Sequence, residues 1–513
     1  MEKKMIYAGI DFGACNIKAA YLQGHRMRVM KLNKDQHAGD QVPNVIYYDK
    51  VNDKVMKIIG LSAQKSAQKK SDYENTVAHI KTKLEAPDWR QKIPNLGKDV
   101  TAQEVARDIF SCIWQEMTRI QADADCWDIT LTVPVCFSMV QKKILSQAAS
   151  EAGIPVKRII TEPFAALFSE DDLDDADDEE LGLIFDFGGS TLDISLLQLI
   201  PDEDEVEIRE VAATGLLYGG LDIDQAIYEE LLKKKYPDDI KTLLKDDKGG
   251  AEKERILQSI ATAKESLFDP DGGDDEFDIV LPAKDGSLHD MTITQEEVVQ
   301  LLKTSSIGQR IRDALDVVMD EADMPLSWIR TFGGTSYIPY FRQLLADYAG
   351  AEVFDAEEDV DEDMYTAVAE GAARYGAVCA GDETNIIAQN RIPYAIGFLE
   401  HKRFRSCINR NALPGFVTGY RVWQRPYLES LAYTIPVYQQ FLTAESEHQD
   451  PVYIGRLQLD PSQYPGTASI MYKMKIDAQE QIQVTTFMQK EGQTEAERDI
   501  IPIEQLTVPI GGE

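Results

Sequence analysis

Near the N-terminus the apolar positions come in strand-like runs. MIYAGIDFG and IKAAYLQG predict two strands folded back on each other around Asp11, Phe12 and Gly13. In VTAQEVARDIFSCIWQEMTRI the period lengthens, and Val105, Ile109, Cys112, Ile113 and Met117 fall on one stripe of a helix. CWDITLTVPVCF predicts a buried strand ending at Pro134. SMVQKKILSQAASEAG predicts a helix with Ser138 as N-cap and Gly153 as C-cap, and VKRIITEPFAALF a short strand running into another helix. The plan then repeats. Ile184 to Leu197 is strand, turn and strand; GGLDIDQAIYEELLKKKY is a Gly-Gly turn opening a helix. A long polar helix runs from about Ala251 to Phe268, and WIRTFGGTSYIPYFRQLLADY is a strand, a Gly-Gly turn and a helix. From Ile392 onward the period shortens to two. SIMYKMKI puts Ile470, Tyr472, Met474 and Ile476 on one face, QIQVTTF does so with Ile482, Val484 and Thr486, and no helical pattern follows. The pattern predicts two similar α/β lobes over residues 1–382, a linker over 383–391, and an all-β domain over 392–513.

Composition narrows what such a chain does. At 513 residues it exceeds one hydrophobic core, and its formal charge of −35, from 53 basic and 88 acidic residues, argues against nucleic acid and anionic membranes as partners. SEDDLDDADDEE, residues 169–180, holds part of that charge; it reads as a solvated loop, with an acidic docking segment as the alternative. Six cysteines (Cys15, Cys112, Cys126, Cys136, Cys379 and Cys407) show no CxxC spacing, and six histidines are scattered without HExxH, so neither a disulfide frame nor a zinc site is indicated. No apolar leader opens the chain, and no apolar run approaches the ~18 residues of a membrane span, so a cytoplasmic location is expected.

The chemistry lies in a turn written twice. GIDFGACNIKAA, opening at Gly9, and IFDFGGSTLDIS, opening at Ile184, each carry an apolar strand into Asp-Phe-Gly, then small residues, then a second strand. Such a turn exposes consecutive backbone N–H groups, a nest suited to phosphate oxygens. Asp11 and Asp186 facing each other would suit a hydrated Mg²⁺ between nucleotide phosphates, because Mg²⁺ keeps its waters and takes few protein carboxylates. Gly333-Gly334-Thr335 before a helix adds a third anion-friendly amide cluster. One such turn alone is an ordinary tight hairpin; two in matching context, with two Gly-Gly turns, point to a nucleotide cleft. Neither GxxxxGK[ST] nor GxGxxG in a strand–helix context occurs, which excludes the P-loop and Rossmann readings.

These stretches resemble the heat-shock protein 70 chaperone family, on the actin and sugar-kinase type of fold. GIDFGACNIKAA, ENTVAHIKTKL, LTVPVCFSMVQKKILSQAASEAGI, RIITEPFAALF, IFDFGGSTLDISLL, GGLDID, FGGTSYIPYF and AVAEGAARYGA run in family order. INRNALP, VYQQF, IGRLQL and MKIDAQEQIQVTT fall where that family has its peptide-binding β-sandwich. The resemblance implies ATP and ADP as ligands with Mg²⁺, a slow ATPase, extended protein segments as clients, and a J-domain co-chaperone and a nucleotide-exchange factor as partners. Position by position, it implies that Asp11 and Asp186 orient the magnesium shell with support from Asp193. Lys81 reaches the terminal phosphate and helps place the attacking water, Glu162 senses the nucleotide near the metal, and Thr191 bonds near the γ-phosphate. Gly13, Ala14, Cys15 and Asn16 of the first turn, Gly188, Gly189 and Ser190 of the second, and Gly219, Gly220, Gly333 and Gly334 cradle the phosphates.

Several positions depart from the family. Ala14 and Cys15 stand where two threonines are usual; the backbone amides survive, but a hydroxyl near the γ-phosphate is lost. A hydrogen bond to a charged group is worth about 1.5–3 kcal/mol, so slow hydrolysis is expected. The two arginines that sandwich the base correspond to Glu265 and Tyr337; Lys264 matches the ribose-binding lysine, whose acidic partner is replaced by Ala261. Pro134 and Lys142 match positions that relay nucleotide state, whereas the linker DETNIIAQN keeps only Ile386 and Ile387 of a leucine-rich run. The sequence ends at LTVPIGGE, before the place of the family's helical lid, so a lidless member is expected. Two other readings stand beside the ATP-driven chaperone: a nucleotide-binding scaffold with little or no hydrolysis, and a sugar kinase or actin-like filament, which should lack the C-terminal β-domain.

Overall fold

The computed structural model describes residues 5–511 apart from 25, 33–39, 71, 87, 171–172, 174–177, 203–204, 246–249, 271, 358–364, 383–384, 442–450, 465–468, 478–479 and 489–500. Half of the acidic run at 169–180 and the start of the 383–391 segment lie outside the described residues.

Two sheets repeat one plan. In the first, Met5–Phe12 pairs antiparallel with Asn16–Gln23 and parallel with Cys126–Val133, which in turn runs parallel to Val156–Thr161. In the second, Glu180–Phe187 pairs antiparallel with Leu192–Asp202 and parallel with Trp328–Phe332. The long strand Glu205–Leu216 extends the second sheet, and Ile386–Gln389 closes it in parallel. Both hairpin strands are buried almost throughout, which explains their continuous apolar runs: sheets covered on both faces have no solvent face to alternate toward.

Helices cover these sheets for reasons visible in the sequence. Thr101 caps Ala102–Ile120 through a reciprocal box with Glu104, and Ser138 caps Met139–Glu151 in the same way with Gln141. Val105, Ile109, Ile113 and Met117 are buried as the stripe predicts, while Cys112 is only half-buried and Phe110 takes the core position beside Phe12. Ala152 is the C-cap of the second helix, and Gly153 follows it in the left-handed region, φ 90°. The helix opened by the Gly-Gly turn is interrupted: Gly220–Ala226 passes into a π-helical stretch, Ile227–Leu232, before Lys233–Lys235.

Downstream, Arg403–Ile408, Tyr394–Glu400, Thr434–Phe441 and Val452–Gln458 form one four-stranded sheet; Arg421–Gln424, Ser469–Ile476, Ile482–Met488 and Ile501–Thr507 form another. Their inner faces share one core, in which Trp423 stacks on Tyr472 at 3.8 Å and Ile470, Met474, Ile476, Ile482 and Val484 are buried. A short helix, Arg425–Ser430, interrupts this otherwise strand-built region, where alternation alone gave only strands. Met139 joins the same core. The helix it opens grips these sheets: Met139 N–H donates to Gln439 Oε1 at 2.9 Å, and Lys142 Nζ donates to both Glu480 oxygens at 2.8 and 3.0 Å.

Candidate functional site

The twin turns meet. A Cβ placed on Gly189 would lie 2.3 Å from Cys15 Sγ, so only glycine lets the second turn come this close to the first. Asn44 and His79 fix the first turn from outside it. Asn44 Nδ2 donates to Gly13 O at 2.7 Å, Asn44 N–H to Cys15 O at 2.6 Å, and His79 Nδ1 lies 3.1 Å from Ala14 O. The second turn is closed by Gly188 N–H donating to Thr191 O at 2.9 Å. The Gly219-Gly220 turn packs directly on it, with Gly220 N–H donating to Gly188 O at 3.1 Å and Leu221 N–H to Gly189 O at 2.8 Å. Thr335 Oγ1 also donates to Gly188 O, at 2.8 Å, bringing the Gly333-Gly334 turn to the same place. Gly333 has φ 80°, and a Cβ there would collide with Phe187 O and Asp186 Oδ1 at 2.5 and 2.7 Å.

Around these turns sits a buried set of charges: Asp11, Lys81, Glu162, Asp186 and Asp193, with Thr191 beside them. Lys81 lies in the 3-10 turn Ile80–Lys83, which His79 enters in the left-handed region, and its Nζ is 2.5 Å from Glu162 Oε1. Burial alone would depress the Lys81 ammonium; Glu162 and Asp11 outweigh it and hold the pKa above the ordinary lysine value. Burial, with repulsion from Glu162 and Asp11, pushes Asp186 up to about 7; burial, with repulsion from Glu162 and Asp186, holds Asp193 well above the usual carboxylate range. Asp193 Oδ1 accepts from Val135 N–H at 2.7 Å, but its buried Oδ2 has no hydrogen-bond partner among the described residues. Crowded, desolvated carboxylates with an orphaned oxygen are a site short of positive charge. Among the described residues no three His, Cys, Asp or Glu side chains converge to ligate one bare ion. A hydrated Mg²⁺, held through its waters, is the form of cation this set fits.

The outlying predicted residues fall on one side of the turns. Lys264 Nζ donates to Gly220 O at 2.7 Å and pairs with Asp224 Oδ1 at 2.6 Å, so Asp224, not position 261, supplies its carboxylate. Glu265 is exposed beside it, and the charges of Lys264, Asp224 and Glu265 all reach the Cys15 thiol, which burial pushes up to about 11. Tyr337 is buried with its ring 5.7 Å from that of Tyr365. Pattern reading missed Asn44, His79, Asp224 and Lys18, which pairs with Asp11 at 3.0 Å.

A mixed α/β protein with two matched hairpins closing on an anionic cleft is the class these observations define. Within it, the chain belongs to the Hsp70 family: the family model described as Hsp70 protein matches residues 7–507. The chain is 28% identical over 403 residues to "Chaperone protein DnaK" of Thermoplasma volcanium, covering 76% of this chain and 60% of the relative. It is 26% identical over 408 residues to the protein of the same name from Methanothermobacter thermautotrophicus, covering 77% and 64%. The match thus spans less than two thirds of either relative's length.

Proposed function

We propose that this protein is an ATP-dependent chaperone of the heat-shock protein 70 type, with an actin-like two-lobe nucleotide domain over 1–382, a linker over 383–391 and a peptide-binding β-sandwich over 392–513. The observation that carries the reading is the buried Lys81–Glu162 pair set where the twin turns close on Asp11 and Asp186. The amides of Gly13 to Asn16 and of Gly188 to Ser190, with those of Gly219, Gly220, Gly333 and Gly334, receive the phosphates. Lys264, fixed by Asp224, receives the ribose, and Tyr337 offers a ring face to the base. Asp11, Asp186 and Asp193 would hold Mg²⁺ through its waters, and the metal would neutralise phosphate charge. Lys81 stays protonated and offers its Nζ protons to the terminal phosphate, while Glu162 fixes its position. Transfer to water needs mainly placement and charge neutralisation, which these residues supply.

Coupling has a short covalent route. Asp193 holds Val135 N–H; a few residues on, Met139, Lys142 and Lys143 hold Gln439, Glu480 and Ile510 O of the C-terminal sheets. A change in the carboxylate set therefore reaches the client side through Pro134 and the cap at Ser138. Extended polypeptide is the proposed client, with a J-domain co-chaperone and a nucleotide-exchange factor as partners. Among the described residues no helix is long and apolar enough to cross a membrane.

Single-turnover hydrolysis of bound ATP tests the proposal. Lys81→Ala should slow it by about 10²-fold; a rate equal to wild type contradicts the ATPase and leaves the second reading, a nucleotide-binding scaffold. That reading is favoured by one feature, Ala14 and the protonated Cys15 thiol where hydroxyls would assist hydrolysis.

A further inference from the structure

The duplicated hairpins differ in charge at one matched position. In the second, the residue seven places after Asp186 is Asp193, and the two are cross-strand partners. In the first, the residue seven places after Asp11 is Lys18, again its cross-strand partner. Residues directly opposite on an antiparallel pair project from the same face of the sheet, so Lys18 holds in its lobe the place that Asp193 holds in the other. Lys18 Nζ lies 3.0 Å from Asp11 Oδ2, and its side chain keeps 16% of its exposure while that of Asp11 keeps 7%. The ammonium is thus mostly withdrawn from solvent but not sealed off. Its field also reaches Glu162, Asp186 in the opposed hairpin and the Cys15 thiol in its own turn.

The charge balance of the cleft depends on this residue. Asp11, Glu162, Asp186 and Asp193 are four carboxylates facing the single ammonium of Lys81, which is already committed to Glu162. An aspartate at position 18, as in the twin, would leave the set without its second positive charge. With Lys18 present, one cation is supplied by the chain itself, next to the first phosphate-type turn.

We propose that Lys18 is a resident cation of the phosphate site, doing part of the work of the divalent metal so that nucleotide binds with reduced dependence on Mg²⁺. The proposal rests on the nucleotide reading of this cleft. The full chain is titrated calorimetrically with ADP, in excess EDTA and in millimolar Mg²⁺, as wild type, Lys18→Met and Lys18→Arg. The ratio of the two dissociation constants, EDTA over Mg²⁺, should rise about tenfold or more in Lys18→Met, because a fixed charge within contact distance is lost from a poorly solvated site. In Lys18→Arg it should stay near wild type. An equal ratio in wild type and Lys18→Met overturns the proposal, and so does a rise in Lys18→Arg as large as that in Lys18→Met. A second arm needs no variant: ADP should raise the melting temperature of the wild type in EDTA. A rise seen only with Mg²⁺ overturns the role of Lys18 and leaves the nucleotide site standing, whereas no rise in either buffer overturns the nucleotide reading itself.

Discussion

Asp186 shows what burying crowded carboxylates costs the protein. Its carboxyl is pushed up from the usual 3.8 to about 7, first by burial and then by repulsion from Glu162 and Asp11. The folded state therefore holds this proton more tightly than the unfolded chain does, so its contribution to stability is complete below about pH 4 and fades as pH rises through 7. Asp186→Asn should raise stability at pH 8 by on the order of 2–4 kcal/mol, with little change at pH 4, while weakening Mg²⁺-dependent nucleotide binding. Denaturant melts of the ligand-free protein at the two pH values check this; equal or lower stability of the variant at pH 8 contradicts it. At this scale the sequence was legible wherever a residue sits in a patterned turn. Asp11 and Asp186 were read from the twin turns, and Asp193 and Lys81 from the family resemblance. Asn44, His79 and Asp224 were not legible, because each is a lone polar residue brought to the turns by chain reversal. Asp224 takes the place expected at position 261 because the Gly219-Gly220 turn carries its helix against Lys264. Lys18 was readable from spacing alone, had the two hairpins been compared at the seventh residue after each aspartate.

Among the elements, the strand Ile386–Gln389 decides how firmly the two halves of the chain are tied. It adds in parallel to Glu205–Leu216, with Ile386 beside Val206 and Ala388 beside Ile208. Ile386 is buried against Ile208 and Tyr375, whereas Ile387 is 46% exposed, so one apolar residue, not two, anchors the strand. Ile386→Ala should cost about 2–4 kcal/mol of strand docking, and Ile387→Ala no more than ~0.5 kcal/mol. Hydrogen exchange at the amides of residues 386–389 reads both; equal loss of protection in the two variants would contradict the burial argument. Strands and long helices of the first two sheets were legible because their apolar runs are unbroken and their caps are standard pairs, Thr101 with Glu104 and Ser138 with Gln141. The π-helical Ile227–Leu232, the helix Arg425–Ser430 and the small sheet of Val45–Val51, Lys54–Ile59 and Thr76–Ala78 were not. Each is short, and each is set by what it packs on rather than by a period of its own.

For the whole molecule, the feature that matters is continuity between the carboxylate set and the C-terminal sheets. Lys142 reaches Glu480, Glu480 accepts from the Tyr394 hydroxyl, and Lys142 lies 5.1 Å from the Tyr394 ring centre. The helix carrying Lys142 begins five residues after Pro134, at the end of a strand that runs beside Met5–Phe12 and its Asp11. A net charge of −35 argues against polyanions as ligands of this assembly. If the proposed function is right, nucleotide and client binding are linked, and the linkage is reciprocal. The most direct test is ATP turnover by the full chain with and without a saturating extended hydrophobic peptide. Basal turnover should be slow and the peptide should accelerate it several-fold, with the acceleration lost in Lys142→Ala. Turnover that is the same with and without peptide, at concentrations where both ligands are bound, would contradict it.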